Sequence, residues 1–425
     1  MQHSSGFVRS PFTWLAYGML AFFAYSQSTF GPILPFLRQE LNLNYSLAAM
    51  HASAFALGMV FAGLCADRIA ERPGVRLGFW LGGAGMAVAM LGLSVAPSAW
   101  LSISMSLFMG FAGGLLLTMI QTGLADAHPQ QRAVAFLEAN LLASLSMTLL
   151  PLVVGGAESI GWGWRWALWL AAAVWFIVAL CCWRMAFPRR QSSELPAATS
   201  LASSTTTPST TTPATTASSA VASATASTSL ATPATAALSS LFWLYWTVLF
   251  LGVALEWCLT LWTADFLVHT GLAANQAASL LAVFTGAGIA GRLVSSRLAR
   301  RIPAARLLVG MLLLVLLGFP IFWQVPLLPL RLLGLFICGF GVSGLFPLGL
   351  ATTSDAVPDA PQRASAKASL AAGLAILINP QLLGIAADIW GIANAMVLVI
   401  LLACAALAVL LVANRRQAAA AAVSA

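Results

Sequence analysis

Long apolar stretches separated by short polar loops make up most of the chain. Each stretch contains about 20 residues or more, the length that an α-helix needs to cross the hydrocarbon core of a bilayer. The pattern predicts six membrane helices, an interruption, and six further membrane helices. The predicted ranges are 12–36, 45–66, 76–97, 99–124, 133–157 and 162–186, then 241–268, 274–296, 305–325, 328–354, 364–386 and 390–413.

The interruption covers residues 187–240 and consists almost wholly of Ser, Thr, Ala and Pro. Such a composition cannot bury enough apolar surface to fold, so the segment is predicted to be a disordered cytoplasmic linker. The chain is therefore expected to divide into an N-terminal six-helix bundle, residues 1–186, and a C-terminal six-helix bundle, residues 241–425.

The composition indicates an all-α integral membrane protein. Apolar residues make up 60% of the chain and charged residues only 8%, whereas about 25% of the residues in soluble domains are charged. The net charge of +8 does not indicate nucleic-acid binding, because the basic residues lie at helix ends. With a cytoplasmic N-terminus, 17 of the 20 basic residues lie inside, as the positive-inside rule requires, and both termini are predicted to be cytoplasmic.

A short charged loop joins the second and third predicted helices. It contains Gly63, Asp67, Arg68 and Arg72 in the spacing Gly-x3-Asp-Arg-x3-Arg, which resembles the signature loop of the major facilitator superfamily of secondary transporters. Gly63 is expected to let a neighbouring helix approach closely, as small residues do in membranes. The resemblance implies that this loop holds the two halves of the protein in one conformation.

The two halves of the sequence also repeat at a constant offset of 229 residues. Gly110 and Asp126 correspond to Gly339 and Asp355, and Trp14-Leu15 corresponds to Trp243-Leu244. The resemblance implies twelve helices in two pseudo-symmetric bundles with a binding site between them near the bilayer midplane. It further implies that helices 1, 4, 7 and 10 line the cavity, that helix 5 packs on helix 8, and that helix 11 packs on helix 2.

Polar residues on helices 1 and 7 are candidates for this cavity. Glu256 lies near the middle of helix 7, where an unpaired carboxylate costs about 2.5–3.5 kcal/mol on insertion scales. It is therefore expected to face the cavity and to bind the substrate or carry a coupled proton. The alternative is a carboxyl group that is hydrogen-bonded within the bundle. Gln27, Tyr25 and Trp257 are also assigned to the cavity, with helix–helix hydrogen bonding as the alternative for Gln27 and Tyr25.

Glu138 and Lys367 are 229 residues apart, at the predicted cytoplasmic ends of helices 5 and 11. The implied helix packing brings Glu138 within reach of Arg292 or Arg297 and brings Lys367 near Asp67. We predict that these are cytoplasmic gate pairs, which form when the protein faces outward and break when it faces inward. The alternative is that they are permanent structural pairs.

The sequence contains no glycine-rich phosphate loop, no nucleophile–base pair and no metal-ligand spacing. No enzymatic activity, cofactor or metal is therefore expected. The resemblance implies secondary active transport of a small organic solute by alternating access, with energy from protons. The expected setting is a monomer in the bacterial inner membrane, whose partners are its substrate, protons and lipid, without nucleic acid.

The candidate cavity helices carry no obvious arginine, which disfavours organophosphates and dicarboxylates, since these need fixed positive charge. A neutral or weakly charged solute, such as a sugar, a polyol or a small metabolite, is the first expectation. The alternatives are a multidrug or metabolite efflux antiporter and, from another class, a non-transporting membrane sensor or scaffold.

Overall fold

The structure, a computed structural model, describes residues 7–71, 74–188, 239–357 and 361–424. These residues form fifteen helices. The helices are α1 (Pro11–Gln27), α2 (Phe30–Leu41), α3 (Tyr45–Glu71), α4 (Val75–Ser94), α5 (Ala99–Ala127), α6 (Arg132–Ser159), α7 (Arg165–Cys182), α8 (Ser240–His269), α9 (Ala274–Leu298), α10 (Ala304–Gln324), α11 (Leu328–Val342), α12 (Leu345–Asp355), α13 (Pro361–Trp390), α14 (Ile392–Ala395) and α15 (Val397–Ser424).

The fifteen helices make twelve membrane crossings, which confirms the predicted fold. Eleven described segments are long and apolar enough to span a bilayer, and α1 together with α2 supplies the twelfth. Three crossings are each built from two helices: α1 with α2, α11 with α12, and α14 with α15. We call α1–α7 the N-terminal half and α8–α15 the C-terminal half. Nearly all of the predicted linker lies outside the described residues.

The first crossing is interrupted at Ser28 and Thr29, between α1 and α2. Pro32, in the first turn of α2, has no N–H to donate to the carbonyl group four residues earlier. The hydroxyl groups of Ser28 and Thr29 bond to the carbonyl oxygens of Ala24 and Tyr25, at 2.9 and 3.3 Å. The carbonyl oxygen of Ala24 also accepts the backbone N–H of Ser28 at 3.1 Å, so both carbonyl groups stay paired inside the bilayer at the break.

Repeat-related glycines bring equivalent helices together in the two halves. Gly110 of α5 packs directly against the backbone carbonyl of Phe55 in α3, and Gly339 of α11 packs in the same way against Phe284 in α9. Both residues of the first contact are 229 positions before those of the second. The internal repeat found in the sequence is therefore a repeat of helix contacts as well.

The expectation that Gly63 allows close helix packing is wrong, because no atom of a neighbouring element lies within 4 Å of a Cβ built at this position. The glycine of α3 that meets another helix is Gly58, which packs against the backbone carbonyl of Leu107 in α5. The other signature residues, Arg72 and the side chains of Asp67 and Arg68, lie outside the described residues.

The predicted membrane helices 5 and 8 are α6 and α9, and helices 2 and 11 are α3 and α13. Both pairs pack together between the halves, as expected. A third contact joins α2 to α8. We call the end of the bundle that carries Arg9, Arg132 and Arg300 the inner end and the opposite end, with Arg38 and Arg165, the outer end. The assignment of the inner end to the cytoplasm stays a prediction.

Candidate substrate cavity

A cavity of about 810 Å³ lies between the two halves. It is within the range of roughly 300–1,000 Å³ that is typical of small-molecule sites. Helices from both halves line it. The break between α1 and α2 reaches it at Ser28, and the break between α11 and α12 reaches it at Ser343. The cavity extends to the inner end, where its lining residues Arg132, Ser296 and Arg300 are exposed.

The cavity contains an ion pair between Glu256 of α8 and Arg292 of α9. Nη2 of Arg292 lies 3.4 Å from Oε1 of Glu256, and the two side chains are 40% and 24% exposed. This distance exceeds the 2.7–2.9 Å of a strong charge-assisted hydrogen bond. Arg292 also donates from Nη1 to Oγ of Ser144 at 2.8 Å, which connects it to α6 of the other half. The pair is therefore loose and solvent-accessible.

Local packing explains why Arg292 reaches Glu256. The preceding residue, Gly291, packs against the backbone carbonyl of Phe340 and the hydroxyl group of Ser343, so α9 lies close to α11 at this level. On α8, the hydroxyl group of Thr260 donates to the carbonyl oxygen of Glu256 at 2.7 Å. Arg292 thus starts from tightly packed backbone, and both charged side chains extend into the same space.

Gln27, Glu256 and Trp257 all line the cavity. Tyr25 does not, and the structure gives it the helix–helix hydrogen bond that was the alternative. Its hydroxyl group is buried and donates to the carbonyl oxygen of Ala167 in α7 at 3.1 Å. Arg292, predicted as a gate residue, lines the cavity and pairs with Glu256 of its own half; its gate role in an outward-facing conformation stays a prediction.

Glu138 pairs within the N-terminal half and not with Arg292 or Arg297. Nε of Arg9 donates to Oε2 of Glu138 at 2.9 Å, and the hydroxyl group of Tyr17 donates to the same oxygen at 3.1 Å. Arg297 is exposed at the inner end of α9. The cause is the packing of α1 on α6, which brings Arg9 and Tyr17 to Glu138. A gate role in an outward-facing conformation stays a prediction.

Lys367 occupies the equivalent place in the C-terminal half. Its Nζ lies 5.4 Å from the ring centroid of Trp243, and its carbonyl oxygen accepts a hydrogen bond from Nε1 of Trp246 at 2.7 Å. Trp246 and Lys367 are the repeat mates of Tyr17 and Glu138. The expected partner of Lys367, the side chain of Asp67, lies outside the described residues.

His128 lies between α5 and α6 at the inner end, outside the membrane-spanning segments. Its Nε2 is 2.7 Å from Oγ1 of Thr13, and its ring is 4.7 Å from that of Phe7. Partial burial lowers the pKa of His128, and the nearby charge of Glu138 partly opposes this shift. The neutral imidazole is therefore favoured in the folded protein.

An ion pair closes the cavity at the outer end. Nη1 of Arg38 in α2 lies 2.5 Å from Oδ1 of Asp265 in α8, and the two side chains are 19% and 4% exposed. The guanidinium carbon of Arg38 also lies 3.5 Å from the ring centroid of Tyr45. Of the four ion pairs among the described side chains, this is the one that joins the two halves.

A second polar contact between the halves lies beside this ion pair. The carboxylate of Asp388 in α13 accepts hydrogen bonds from the backbone N–H groups of Tyr45 and Ser46 at 2.6 and 2.9 Å. These are the first two residues of α3, so a residue of the C-terminal half caps a helix of the N-terminal half. This contact and the Arg38–Asp265 pair make the outer end the closed end.

No single motif in the sequence pairs Arg38 with Asp265, but a signal is present. Arg38 is one of only three basic residues assigned to the outer side. Asp265 lies near the outer end of the predicted membrane helix 7, which is α8 in the structure. An acid and a base at the same predicted depth, on two helices that both line the cavity, are candidates for a pair.

Comparisons with known proteins agree with this architecture. The profile of the Major Facilitator Superfamily matches residues 16–380. The cyanate transport protein CynX of Escherichia coli (strain K12) is 27% identical over 333 residues, which is 76% of each chain.

Solved structures show the same fold. A bacterial homologue of the human lysosomal transporter Spinster, crystallised in an inward-facing and unoccupied conformation, superposes with a TM-score of 0.71 at 16% identity, covering 96% of this chain and 98% of that one. A D-xylose–proton symporter gives a TM-score of 0.67 at 12% identity, covering 94% and 96%. At these identities the likeness concerns the fold alone.

Proposed function

The chain belongs to the major facilitator superfamily and is a membrane transporter of a small solute, and from this premise we propose that it co-transports a proton with a small monovalent anion. Glu256 carries the proton and Arg292 binds the anion. The observation that carries the proposal is the ion pair of these two residues inside the cavity. We also place the inner end in the cytoplasm, on the positive-inside count.

Charge balance supports this coupling. With Glu256 ionised, the carboxylate and the guanidinium group compensate each other in the empty cavity. Protonation of Glu256 leaves Arg292 with one positive charge and without its ion-pair partner, and charged side chains inside a membrane protein are usually paired. One monovalent anion restores neutrality, so proton and anion occupy the cavity together. The 3.4 Å separation of the pair makes it easy for an anion to displace the carboxyl group.

The position of Arg292 favours an anion over the neutral solute expected from the sequence. Arg292 lies inside the cavity, and Arg132 and Arg300 line its inner part. The related CynX is named as a cyanate transport protein, and cyanate is a small monovalent anion. The relative's name and the cavity charge thus favour the same class of solute.

Labelled cyanate uptake into proteoliposomes tests the proposal. In the wild type, an acidic exterior is expected to drive accumulation. Glu256→Gln imitates the protonated carboxyl group permanently, so we expect it to lose accumulation driven by the pH gradient while it retains exchange of internal for external cyanate. Arg292→Gln is expected to lose both activities, because it removes the charge that binds the anion.

The matched control is Glu40→Gln, which breaks the Glu40–Arg165 ion pair within the N-terminal half and away from the cavity. Its uptake should equal that of the wild type. Accumulation that still follows the pH gradient in Glu256→Gln would overturn the proton-carrier role.

Thermal stability against a panel of solutes supplies a second measurement. A ligand at about 100 times its dissociation constant stabilises the folded state by about 2.7 kcal/mol. Stabilisation by small anions, stronger at low pH, is expected. Stabilisation by sugars or cationic drugs alone would contradict the proposal and favour a neutral solute or efflux.

A further inference from the structure

A small side pocket of about 30 Å³ opens off the cavity at the Glu256–Arg292 pair, between α6, α8, α9 and α11. It shares part of its lining with the large cavity and extends beyond it to Phe284, Gly288 and Gly339, which we call its floor. Its polar lining consists of Glu256, Arg292 and the hydroxyl-bearing residues Ser144, Thr260, Thr285 and Ser343.

We propose that this side pocket is the subsite that holds the substrate anion and limits its size to about three heavy atoms. The inference rests on the proposed function and adds to it a location and a size limit. When volume is counted as the space open to the centre of a water molecule, a cavity needs roughly 10–15 Å³ to hold one water molecule. The side pocket therefore has room for about two or three water molecules or for one compact ion such as formate or azide.

Arg292 supplies the charge of the subsite and Thr285 supplies a donor that is free to turn. The hydroxyl group of Thr285 is 3.4 Å from the carbonyl oxygens of Leu281 and Ala282, which is at the weak limit of hydrogen bonding. The hydroxyl group of Ser343 makes a shorter bond to its own helix, at 2.8 Å. Thr285 therefore gives up a weaker hydrogen bond than Ser343 does when its hydroxyl group turns to donate to an anion.

The glycines of the floor set the shape of the pocket. A Cβ atom at Gly339 would overlap the backbone carbonyl of Phe284. A Cβ atom at Gly288 would lie 3.8 Å from Cβ of Ser343 and 3.9 Å from the carbonyl oxygen of Gly339, both at ordinary contact distance. These two neighbours line the pocket, so the methyl group of alanine at position 288 would occupy its space without moving the backbone.

The test compares Gly288→Ala with Gly286→Ala. Gly286 lies on the same helix, lines neither cavity, and has Cγ2 of Thr148 as the nearest atom to a built Cβ, at 3.5 Å. The two variants share the same gain in helix propensity. Dissociation constants for formate and azide would be measured by calorimetry on purified protein at low pH, with benzoate as the bulky monovalent probe.

We expect Gly288→Ala to bind formate and azide at least tenfold more weakly than the wild type, and Gly286→Ala to stay within twofold. Thr285→Val, which keeps the shape and removes the hydroxyl group, should also weaken both anions. Benzoate should not compete with formate in the wild type. Unliganded melting temperatures and elution profiles of the variants would confirm that they fold.

Two outcomes would overturn the subsite while leaving the proposed function intact: equal affinities of Gly288→Ala and Gly286→Ala for formate, or benzoate binding as tight as that of formate. If the wild type binds none of the three anions at low pH, the proposed function fails and the subsite fails with it. The wild-type titration therefore separates the two failures.

Discussion

Replacing Asp265 by asparagine is expected to open the outer end of the cavity. Removing one partner of a buried ion pair costs about 3–5 kcal/mol, because the other charge stays buried and unpaired. Arg38 is 19% exposed and keeps its contact with the Tyr45 ring, so the lower figure applies. In a conformation open to the outside, Arg38 meets water and this cost disappears. The ratio of outer-open to outer-closed protein should therefore rise about 100-fold, at 1.4 kcal/mol per factor of ten.

The assay measures how fast a membrane-impermeant maleimide, added outside intact cells, labels the variant Gln27→Cys in a background without the six native cysteines. Gln27 lines the cavity, so outside reagent reaches it only when the outer end opens. Labelling should be slow with Asp265 intact and much faster after Asp265→Asn.

The control is Glu40→Gln, which breaks an ion pair at the same end of the bundle. The Glu40–Arg165 pair lies within one half, and its side chains are 37% and 38% exposed, so its loss should leave the labelling rate unchanged. Equal labelling rates in the Asp265 and Glu40 variants would refute the idea that the pair between the halves holds the outer end closed.

Two further predictions concern stability. Gly110→Ala places a Cβ atom against the Phe55 backbone and should lower the melting temperature, since overpacking costs about 1–3 kcal/mol. The control Gly310→Ala meets no atom within 4 Å and should leave the melting temperature unchanged. Equal melting temperatures of the two variants would contradict this prediction. Partial burial lowers the pKa of His128 from 6.5, so the stability gained by keeping it neutral is present above pH 6.5 and lost as the pH falls. The melting temperature should therefore drop more between pH 7.5 and 5.5 in the wild type than in His128→Gln, and equal drops would count against this account.

The twelve crossings and the internal repeat followed from the sequence, because apolar length and a constant offset of 229 residues can be read directly from it. The placement of Glu256 in the cavity followed from the cost of an unpaired carboxylate in mid-membrane. Side-chain facing was less predictable. Tyr25 and Gln27 are two residues apart, which is about 200° around a helix, so they could not both face the cavity. The partner of Glu138 depended on the exact packing of α1 on α6, and no periodicity in the sequence gives that distance.

The cap that Asp388 places on the first turn of α3 has a consequence for the cycle of conformations. Helix termini leave backbone N–H groups that must find a partner, and here the partner belongs to the other half. When the halves separate at the outer end, two backbone donors and one carboxylate must all be rehydrated. Opening of the outer end therefore exchanges the two hydrogen bonds that Asp388 makes to α3 for hydrogen bonds to water.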